Sequence, residues 1–219
     1  MADTLDLGSL GYLAAWDIQK QVASDVRSGV RDDTVIFVEH PPVYTLGASF
    51  HAENLLFSVE EYASRGIEIV KTDRGGDVTY HGPRQLVIYP IFDLRRHGQD
   101  LHKWLRDLEE AIIDVCGSYG LAGVRSAVNT GVWVGDKKIA AMGIKVSKWI
   151  SLHGIALNCD NDLAPFEWIV PCGITGYGVT SLTKEVGQPV TAEMAKPRVL
   201  AAFSRVFGMS FHEVARTNP

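Results

Sequence analysis

Apolar residues recur at helical spacing in two long stretches of the chain. The first covers residues 12–27, with Tyr12, Trp16 and Val22 on one face, and Gly29 is expected to end that helix. The second covers residues 100–119 and predicts the longest helix. Ser58 and Glu61 have the spacing of a capping box, which predicts a short helix that ends near residue 65.

Short apolar runs predict β-strands between these helices. They cover residues 34–39, 67–71, 85–91 and 151–158, with a hairpin over 131–146. The tail over 191–207 is helix-rich; Pro197 is expected to start, kink or split it, and the last quarter to form a small helical lobe. Because helices and strands alternate irregularly, we predict an α/β (α+β) fold: a single domain over 1–219 with a mixed β-sheet flanked by helices.

Composition and charge narrow the function classes. Hydrophobic residues make up 46% of the chain and charged residues 21%, which is typical of a globular protein. The net charge of −5 argues against a general nucleic-acid binder. The N-terminus resembles no signal peptide, and no apolar run approaches the ~18 residues of a membrane span, so we expect a cytoplasmic protein with no membrane association.

The three cysteines do not predict a disulfide scaffold. Cys116, Cys159 and Cys172 are odd in number, widely spaced and without a C-x-x-C pair. Cys116 falls on the apolar face of the second long helix and is read as a core residue. His81, His153 and Cys172 match no known ligand spacing, so no metal site is expected.

Three segments could carry chemistry, and each also has a purely structural interpretation. RGGDVTYHGPRQ at 74–85 could bind a carbonyl or carboxylate through exposed backbone amides, or could be a tight connection between strands. GDKKIAAMGIKVSK at 135–148 holds four lysines, which ordinarily form a solvated face; Lys138 differs because it borders an apolar run and could pair with a thiolate. IVPCGITGYG at 169–178 places Cys172 in a rigid loop, as a nucleophile or as an inert buried thiol.

Together these segments resemble the lipoyl (octanoyl) transferase family. The similarity runs in order through EHPPVYTLG at 39–47, RGGDVTYHGP at 74–83, GVWVGDKKIAAMGIKV at 131–146, LHGIALN at 152–158 and IVPCGITGYGVTSL at 169–182. It implies a fold similar to the catalytic domain of biotin and lipoate protein ligases. One departure is Arg84, which stands where the family usually has glycine.

The resemblance implies a catalytic pair, Cys172 and Lys138, with no metal and no cofactor. Contact would stabilise the thiolate, and partial burial would make the lysine a better base. The residues that the resemblance assigns to substrate binding are Arg74, Gly75, Gly76, Asp77, Val78, Thr79, Tyr80, His81, Ala141, Met142, Gly143, Gly154, Ile155 and Ala156.

The implied reaction is transfer of an octanoyl group through a cysteine thioester with ping-pong kinetics. The implied donor is octanoyl-acyl carrier protein. The implied acceptors are lysines of lipoyl domains in 2-oxoacid dehydrogenase complexes and of the glycine cleavage H protein. The lysines of 137–148 and Arg84 could help to dock the acidic carrier.

The sequence leaves three alternative functions open. An ATP-dependent lipoate or biotin ligase of the same fold would not need Cys172. A carrier-binding protein would bind without turnover. A papain-like hydrolase would need a C-G-[SA]-C-[WY] signature, which the chain lacks.

Overall fold

A large mixed β-sheet organises the structure, a computed structural model that describes residues 1–170 and 177–214. The strands in these ranges are β1 (Ala2–Ser9), β2 (Thr34–Glu39), β3 (Val43–Leu46), β4 (Glu68–Lys71), β5 (Val78–His81), β6 (Gln85–Ile91), β7 (Gly123–Val124), β8 (Gly131–Val134), β9 (Lys137–Ser147), β10 (Ile150–Asn158), β11 (Gly178–Val179) and β12 (Phe211–Glu213). The α-helices are α1 (Tyr12–Ser28), α2 (Val59–Ser64), α3 (Leu101–Ser118), α4 (Leu182–Val186) and α5 (Ala192–Phe207).

The strands of the large sheet run in the order β12-β1-β2-β6-β10-β9-β8-β7, and β11 pairs with β9. The pairs of β1 with β2 and β12 are parallel, whereas those from β2 through β6, β10, β9 and β8 are antiparallel. A smaller sheet has the order β4-β3-β5. The predicted mixed sheet is therefore confirmed.

Helices cover both faces of the large sheet. Helices α3 and α5 pack on one face, where Trp104 and Phe203 belong to the same buried cluster as Phe37. Helix α1 covers the other face, where Val22 belongs to a cluster with Ile36. Because successive side chains of a strand point to opposite faces, a strand buried on both sides is apolar throughout, which explains the continuous run in β2.

The residues predicted to end α1 and to begin α2 are confirmed. Gly29 ends α1 in the left-handed conformation with φ 76°. Ser58 and Glu61 form the predicted capping box at α2. The Asp100 side chain accepts hydrogen bonds from the first backbone N–H groups of α3.

The C-terminal quarter differs from the prediction. Helix α5 runs unbroken through Pro197, which neither starts nor splits it. Burial of residues such as Val199 and Phe203 against α3 offsets the cost of a proline inside the helix. The segment is not a separate lobe, because α5 shares the main core and β12 extends the large sheet. Within the described ranges no helix is both long and apolar enough to cross a bilayer.

Candidate active site

The two short segments predicted to bind substrate lie directly opposite each other on β9 and β10. Gly143 pairs with Gly154, and Met142 pairs with Ile155. A Cβ at Gly154 would collide with the carbonyl oxygen of Ile88 and lie 2.7 Å from Cδ of Pro90. Glycine is therefore required there for the close approach of β6.

The loop that begins at Arg74 crosses over β9. The Gly75 N–H donates to the carbonyl of Ile144 at 2.9 Å, and a Cβ at Gly143 would lie only 2.8 Å from the Gly75 oxygen. The buried Arg74 guanidinium donates to the Thr45 hydroxyl at 3.1 Å and to the Asp77 carbonyl at 2.7 Å. These contacts fix the glycine-rich loop against the strand that carries Lys138.

Strand β5 divides the predicted binding residues between two faces. Thr79 and His81 point towards β9 and line a pocket there. Val78 and Tyr80 point the other way into the apolar cluster of the small sheet. The period of two in a strand explains why the structure brings only alternate residues of this segment to the pocket.

The pocket between β5, β6, β9 and β10 is small, with a cavity volume of about 60 Å³. Its walls combine residues from all three predicted segments with five residues that the sequence did not indicate. The predicted residues are Arg74, Gly76, Thr79, His81, Ala141, Met142, Gly143, Gly154, Ile155 and Ala156. The additional residues are Tyr12, Val87, Tyr89, Asn129 and His153.

Gly75 and Asp77 do not line this pocket. Gly75 is held against β9, as described above. The Asp77 carboxylate accepts hydrogen bonds from Asn54 and from the backbone N–H groups of His51 and Val78. Its role in this arrangement is to hold the loop, although it also borders an open polar groove beside Gly76 and Asn129.

Lys138 lies near the start of β9 and is 9% exposed. Its Nζ donates to Oδ1 of Asn129 and to the carbonyl of Thr130, both at 3.2 Å, and lies 5.0 Å from the centre of the Trp133 ring. Lys138 also lines a second pocket with a cavity volume of about 40 Å³, which shares Thr79, Ala141 and Ala156 with the first. The amine therefore lies beside the same walls that form the larger binding pocket.

Cys172 lies outside the described residues, so its position relative to Lys138 is not part of the structure. The chain that follows it is described from Tyr177 onward, and Gly178 and Val179 form β11. In the pairing of β11 with β9, Val179 lies opposite Lys138, and the Thr180 N–H donates to the Lys138 carbonyl at 3.0 Å.

The other two cysteines are poor nucleophiles. Cys116 and Cys159 are buried, as predicted for Cys116. Burial in apolar surroundings disfavours a thiolate and raises the pKa of each thiol to about 12.

A buried chain of hydrogen bonds links the Arg74 loop to β11. The Thr45 hydroxyl accepts from Arg74 and contacts Nε2 of His81 at 3.3 Å. On the other side of the ring, Nδ1 of His81 donates to Oε1 of Gln85 at 2.9 Å. The Gln85 amide then donates to Asn158, whose own amide donates to the Thr180 carbonyl. Full burial lowers the pKa of His81 well below 6.5, so the ring is neutral near pH 7, with its proton on Nδ1.

Two further histidines pack against Tyr12 at the inner end of the pocket. His153 has a left-handed backbone, with φ 57°, and its ring contacts the Tyr12 hydroxyl at 3.3 Å and the Asp73 carboxylate at 2.7 Å. His40 donates to the Leu10 carbonyl at 2.7 Å. Burial lowers the pKa of His153, against the opposing effect of Asp73, and lowers that of His40 to about 4.

Arg84 adopts the left-handed conformation, with φ 66°. It follows Pro83 in a turn closed by a hydrogen bond from the Gln85 N–H to the Gly82 carbonyl, the pattern of a type II turn, in which glycine is preferred at this position. The Arg84 N–H donates to Glu39, and its guanidinium pairs with Asp160 at 3.0 Å. These contacts occupy Arg84 at the turn rather than at the pocket.

The sequence matches one family model and several named relatives over nearly its full length. Residues 11–204 match the lipoyl protein ligase A/B catalytic domain. The octanoyltransferase of Chloroflexus aurantiacus is 50% identical over 207 residues, which cover 93% of this chain and 92% of that protein. The octanoyltransferase of Gloeobacter violaceus is 48% identical over 206 residues, covering 94% and 90%.

The chain belongs to the lipoyl protein ligase A/B catalytic-domain family. Solved structures agree with this at the level of the fold. A lipoate-protein ligase A bound with ATP superposes with a TM-score of 0.78 at 19% identity, covering 98% of this chain and 90% of that one. Biotin protein ligase from Aquifex aeolicus gives a TM-score of 0.56 at 11% identity, covering 94% and 69%. The predicted similarity of fold to lipoate and biotin ligases is confirmed.

Proposed function

We propose that the chain, acting as one catalytic domain over 1–219, transfers an octanoyl group to a lysine of lipoyl carrier domains. The donor in this proposal is octanoyl-acyl carrier protein, and the group passes through a thioester on Cys172 in the first step of endogenous protein lipoylation. The acceptors are the lipoyl domains of 2-oxoacid dehydrogenase complexes and the glycine cleavage H protein. The observation that supports the proposal best is the pairing of β11 with β9, in which Val179, seven residues beyond Cys172 in the sequence, lies opposite Lys138.

The pocket beside Lys138 suits an acyl chain. Its walls on β9 and β10 are small or apolar, namely Ala141, Met142, Gly143, Ile155 and Ala156. Burial of each methylene group contributes ~0.8 kcal/mol, so a slot of this kind binds an eight-carbon chain mainly by removing it from water. The octanoyltransferase names of relatives at 50% and 48% identity support this substrate class.

The choice of Cys172 as nucleophile is supported by the state of the other thiols. Cys116 and Cys159 are buried with a pKa of about 12, so neither supplies a thiolate near neutral pH. Cys172 is the remaining cysteine of the chain.

In the first half-reaction, the Cys172 thiolate attacks the carbonyl carbon of the octanoyl thioester. The bond from that carbon to the carrier sulfur breaks, and the leaving thiolate takes a proton from the Lys138 ammonium. One thioester replaces another, so the step needs no ATP. Backbone N–H groups of the glycine-rich segments are candidates for binding the oxyanion.

In the second half-reaction, the neutral amine of the acceptor lysine attacks the enzyme thioester. An amide bond forms, the bond to the Cys172 sulfur breaks, and the now neutral Lys138 takes the proton lost by the amine. The cysteine thiolate and lysine ammonium are thereby restored. Because the free carrier, the first product, leaves before the acceptor reacts, the kinetics are ping-pong.

The test is octanoyl transfer from octanoyl-acyl carrier protein to an apo lipoyl domain without ATP. We expect transfer by the unmodified protein, and loss of transfer in Cys172→Ala and Lys138→Met. Lys148→Met, which alters an exposed lysine just beyond the far end of β9, is the matched control and should keep activity. Undiminished activity in Cys172→Ala, dependent on ATP and free octanoate, would instead identify a ligase.

A further inference from the structure

Glu109 is a buried carboxylate on α3 that faces the connection between β7 and β8. Its side chain is 2% exposed and accepts three hydrogen bonds. The donors are Arg106 Nη1 at 2.7 Å, Arg125 Nε at 3.1 Å and the Gly131 backbone N–H at 3.0 Å. An ionised carboxylate is stable inside a protein only with such a set of donors.

Two of these donors lie at opposite ends of one segment, residues 125–131. Arg125 follows directly on β7, and Gly131 is the first residue of β8. A single carboxylate therefore clamps both ends of the segment to α3. Arg125 also donates to the Arg106 carbonyl at 3.0 Å, which strengthens the attachment at the first end. Its contact with the exposed Glu110 is screened by solvent and adds little.

Between these two ends, Asn129 and Thr130 of the same segment accept hydrogen bonds from the Lys138 amine. The side chain of Asn129 and the carbonyl of Thr130 each accept from Nζ at 3.2 Å. Asn129 also accepts from the Trp133 indole at 3.4 Å, and the Trp133 ring faces the amine. The position of both acceptors depends on where the segment is held, because one is a backbone atom and the other is a short side chain.

The junction with β8 tolerates little displacement. Gly131 has φ 136°, and a Cβ there would lie 2.5 Å from the Ala140 carbonyl. Its N–H points to Glu109 while its neighbour Thr130 contacts Lys138. A shift of this N–H away from α3 would move the Thr130 carbonyl with it, since the two groups belong to the same peptide unit.

We infer that Glu109 is a positioning residue that sets the Lys138 amine for reaction by clamping residues 125–131. The inference rests on the proposed function, because it assumes that Lys138 acts in transfer. Glu109 lines neither of the two pockets beside β9, so it acts through Asn129 and Thr130. Misplacement of a reacting group by about 1 Å costs up to 10²-fold in rate without altering binding of the substrates.

The experiment compares Glu109→Ala and Glu109→Gln with the matched control Glu110→Ala. Glu110 is the adjacent, half-exposed carboxylate that contacts only the outer side of Arg125. We expect Glu109→Ala to lower kcat about tenfold or more, with KM for carrier and acceptor within about twofold. Glu109→Gln should recover most of kcat, because its amide oxygen still accepts from Gly131, and Glu110→Ala should match the unmodified protein.

Hydrogen exchange at the Gly131 amide gives a readout that does not depend on activity. Exchange should accelerate in Glu109→Ala and stay unchanged in Glu110→Ala. If Glu109→Ala does not fold, Arg125→Met releases the other end of the segment from a more exposed position and should lower kcat in the same way. The inference is overturned if these variants lower the melting temperature but leave kcat unchanged, or if KM rises in proportion to any loss.

Lys138→Met in the same series separates the two proposals. If the unmodified protein transfers no octanoyl group, the proposed function fails, whatever Glu109 does. If Lys138→Met retains full transfer, the role of Lys138 is wrong and Glu109 has no amine to position. If Lys138→Met is inactive while Glu109→Ala and Arg125→Met turn over normally, only the positioning role of Glu109 is wrong.

Discussion

At the scale of single residues, the buried histidines around the pocket make stability depend on pH. His40 has no exposed surface; its pKa is about 4 in the folded state, because burial penalises the charged ring. The unfolded chain has a histidine pKa near 6.5, so it binds more protons than the folded chain between these values. Stability is therefore present above about pH 6.5 and is lost as the pH falls towards 4.

The prediction is a loss of roughly 2 to 3 kcal/mol in the free energy of unfolding from His40 alone between pH 7 and 4.5. His81 and His153, whose pKa values are also lowered by burial, act in the same direction. Urea unfolding at a series of pH values measures the slope. His40→Gln, which can still donate and accept, should flatten it, whereas the exposed His102→Gln should not. An equal slope in both variants would contradict this account.

At the scale of elements, the register of β9 against β10 builds the pocket. This register depends strongly on Gly154. Strand β6 lies so close to Gly154 that there is no room for a side chain. We predict that Gly154→Ala costs about 2 to 3 kcal/mol of stability through overpacking, and weakens acyl binding by displacing β10.

The matched control is Gly117→Ala, in α3. A Cβ at Gly117 meets no atom within 4 Å, and alanine favours the helix, so this change should be neutral or stabilising. Thermal unfolding and acylation rates of both variants provide the measurement. If Gly154→Ala is as stable and active as Gly117→Ala, the close approach of β6 is not a determinant of the pocket.

The elements predicted well are those with strong local signals. Helix α3 was identified by its long apolar period, and α2 by the capping box of Ser58 and Glu61. Strands β3 and β5 were missed because each has four residues within segments rich in glycine and proline. Strand β1 was missed because its pairing with β2 and β12 is entirely non-local.

The sequence could predict residues of the candidate site only where they are neighbours along the chain. The resemblance identified residues 74–81, yet strand alternation divides them between the pocket and the core. Tyr12, Tyr89 and His153 come from three separate elements, so only the tertiary fold brings them together. Asn129 lies in a connection without periodicity, and no local pattern marks it as a partner of Lys138.

At the scale of the whole molecule, the lysine-rich segment does not form one compact basic patch. Lys138 is buried, Lys145 pairs with Asp73, and the exposed Lys137 and Lys148 lie at or just beyond opposite ends of the eleven-residue β9. At ~3.3 Å per residue, eleven residues of extended chain place these two about 36 Å apart. Only Lys137 adjoins Lys138, so we expect an acidic carrier to interact with Lys137.

Charge reversal at each lysine tests this expectation. Lys137→Glu should raise KM for the acyl carrier about fivefold at low salt, equivalent to ~1 kcal/mol, and less at high salt. Lys148→Glu, at the far end, should change KM little. Equal effects of the two substitutions, or no dependence on salt, would argue against carrier docking at this end of β9.

The most direct test of the central claim is the mass of the intact protein after incubation with octanoyl-acyl carrier protein alone. The account predicts a gain of one octanoyl group, located on Cys172 by peptide mapping, absent in Cys172→Ala and discharged when an apo lipoyl domain is added. Transfer to the acceptor with no adduct on the protein, or an adduct on Cys116 or Cys159, would contradict it.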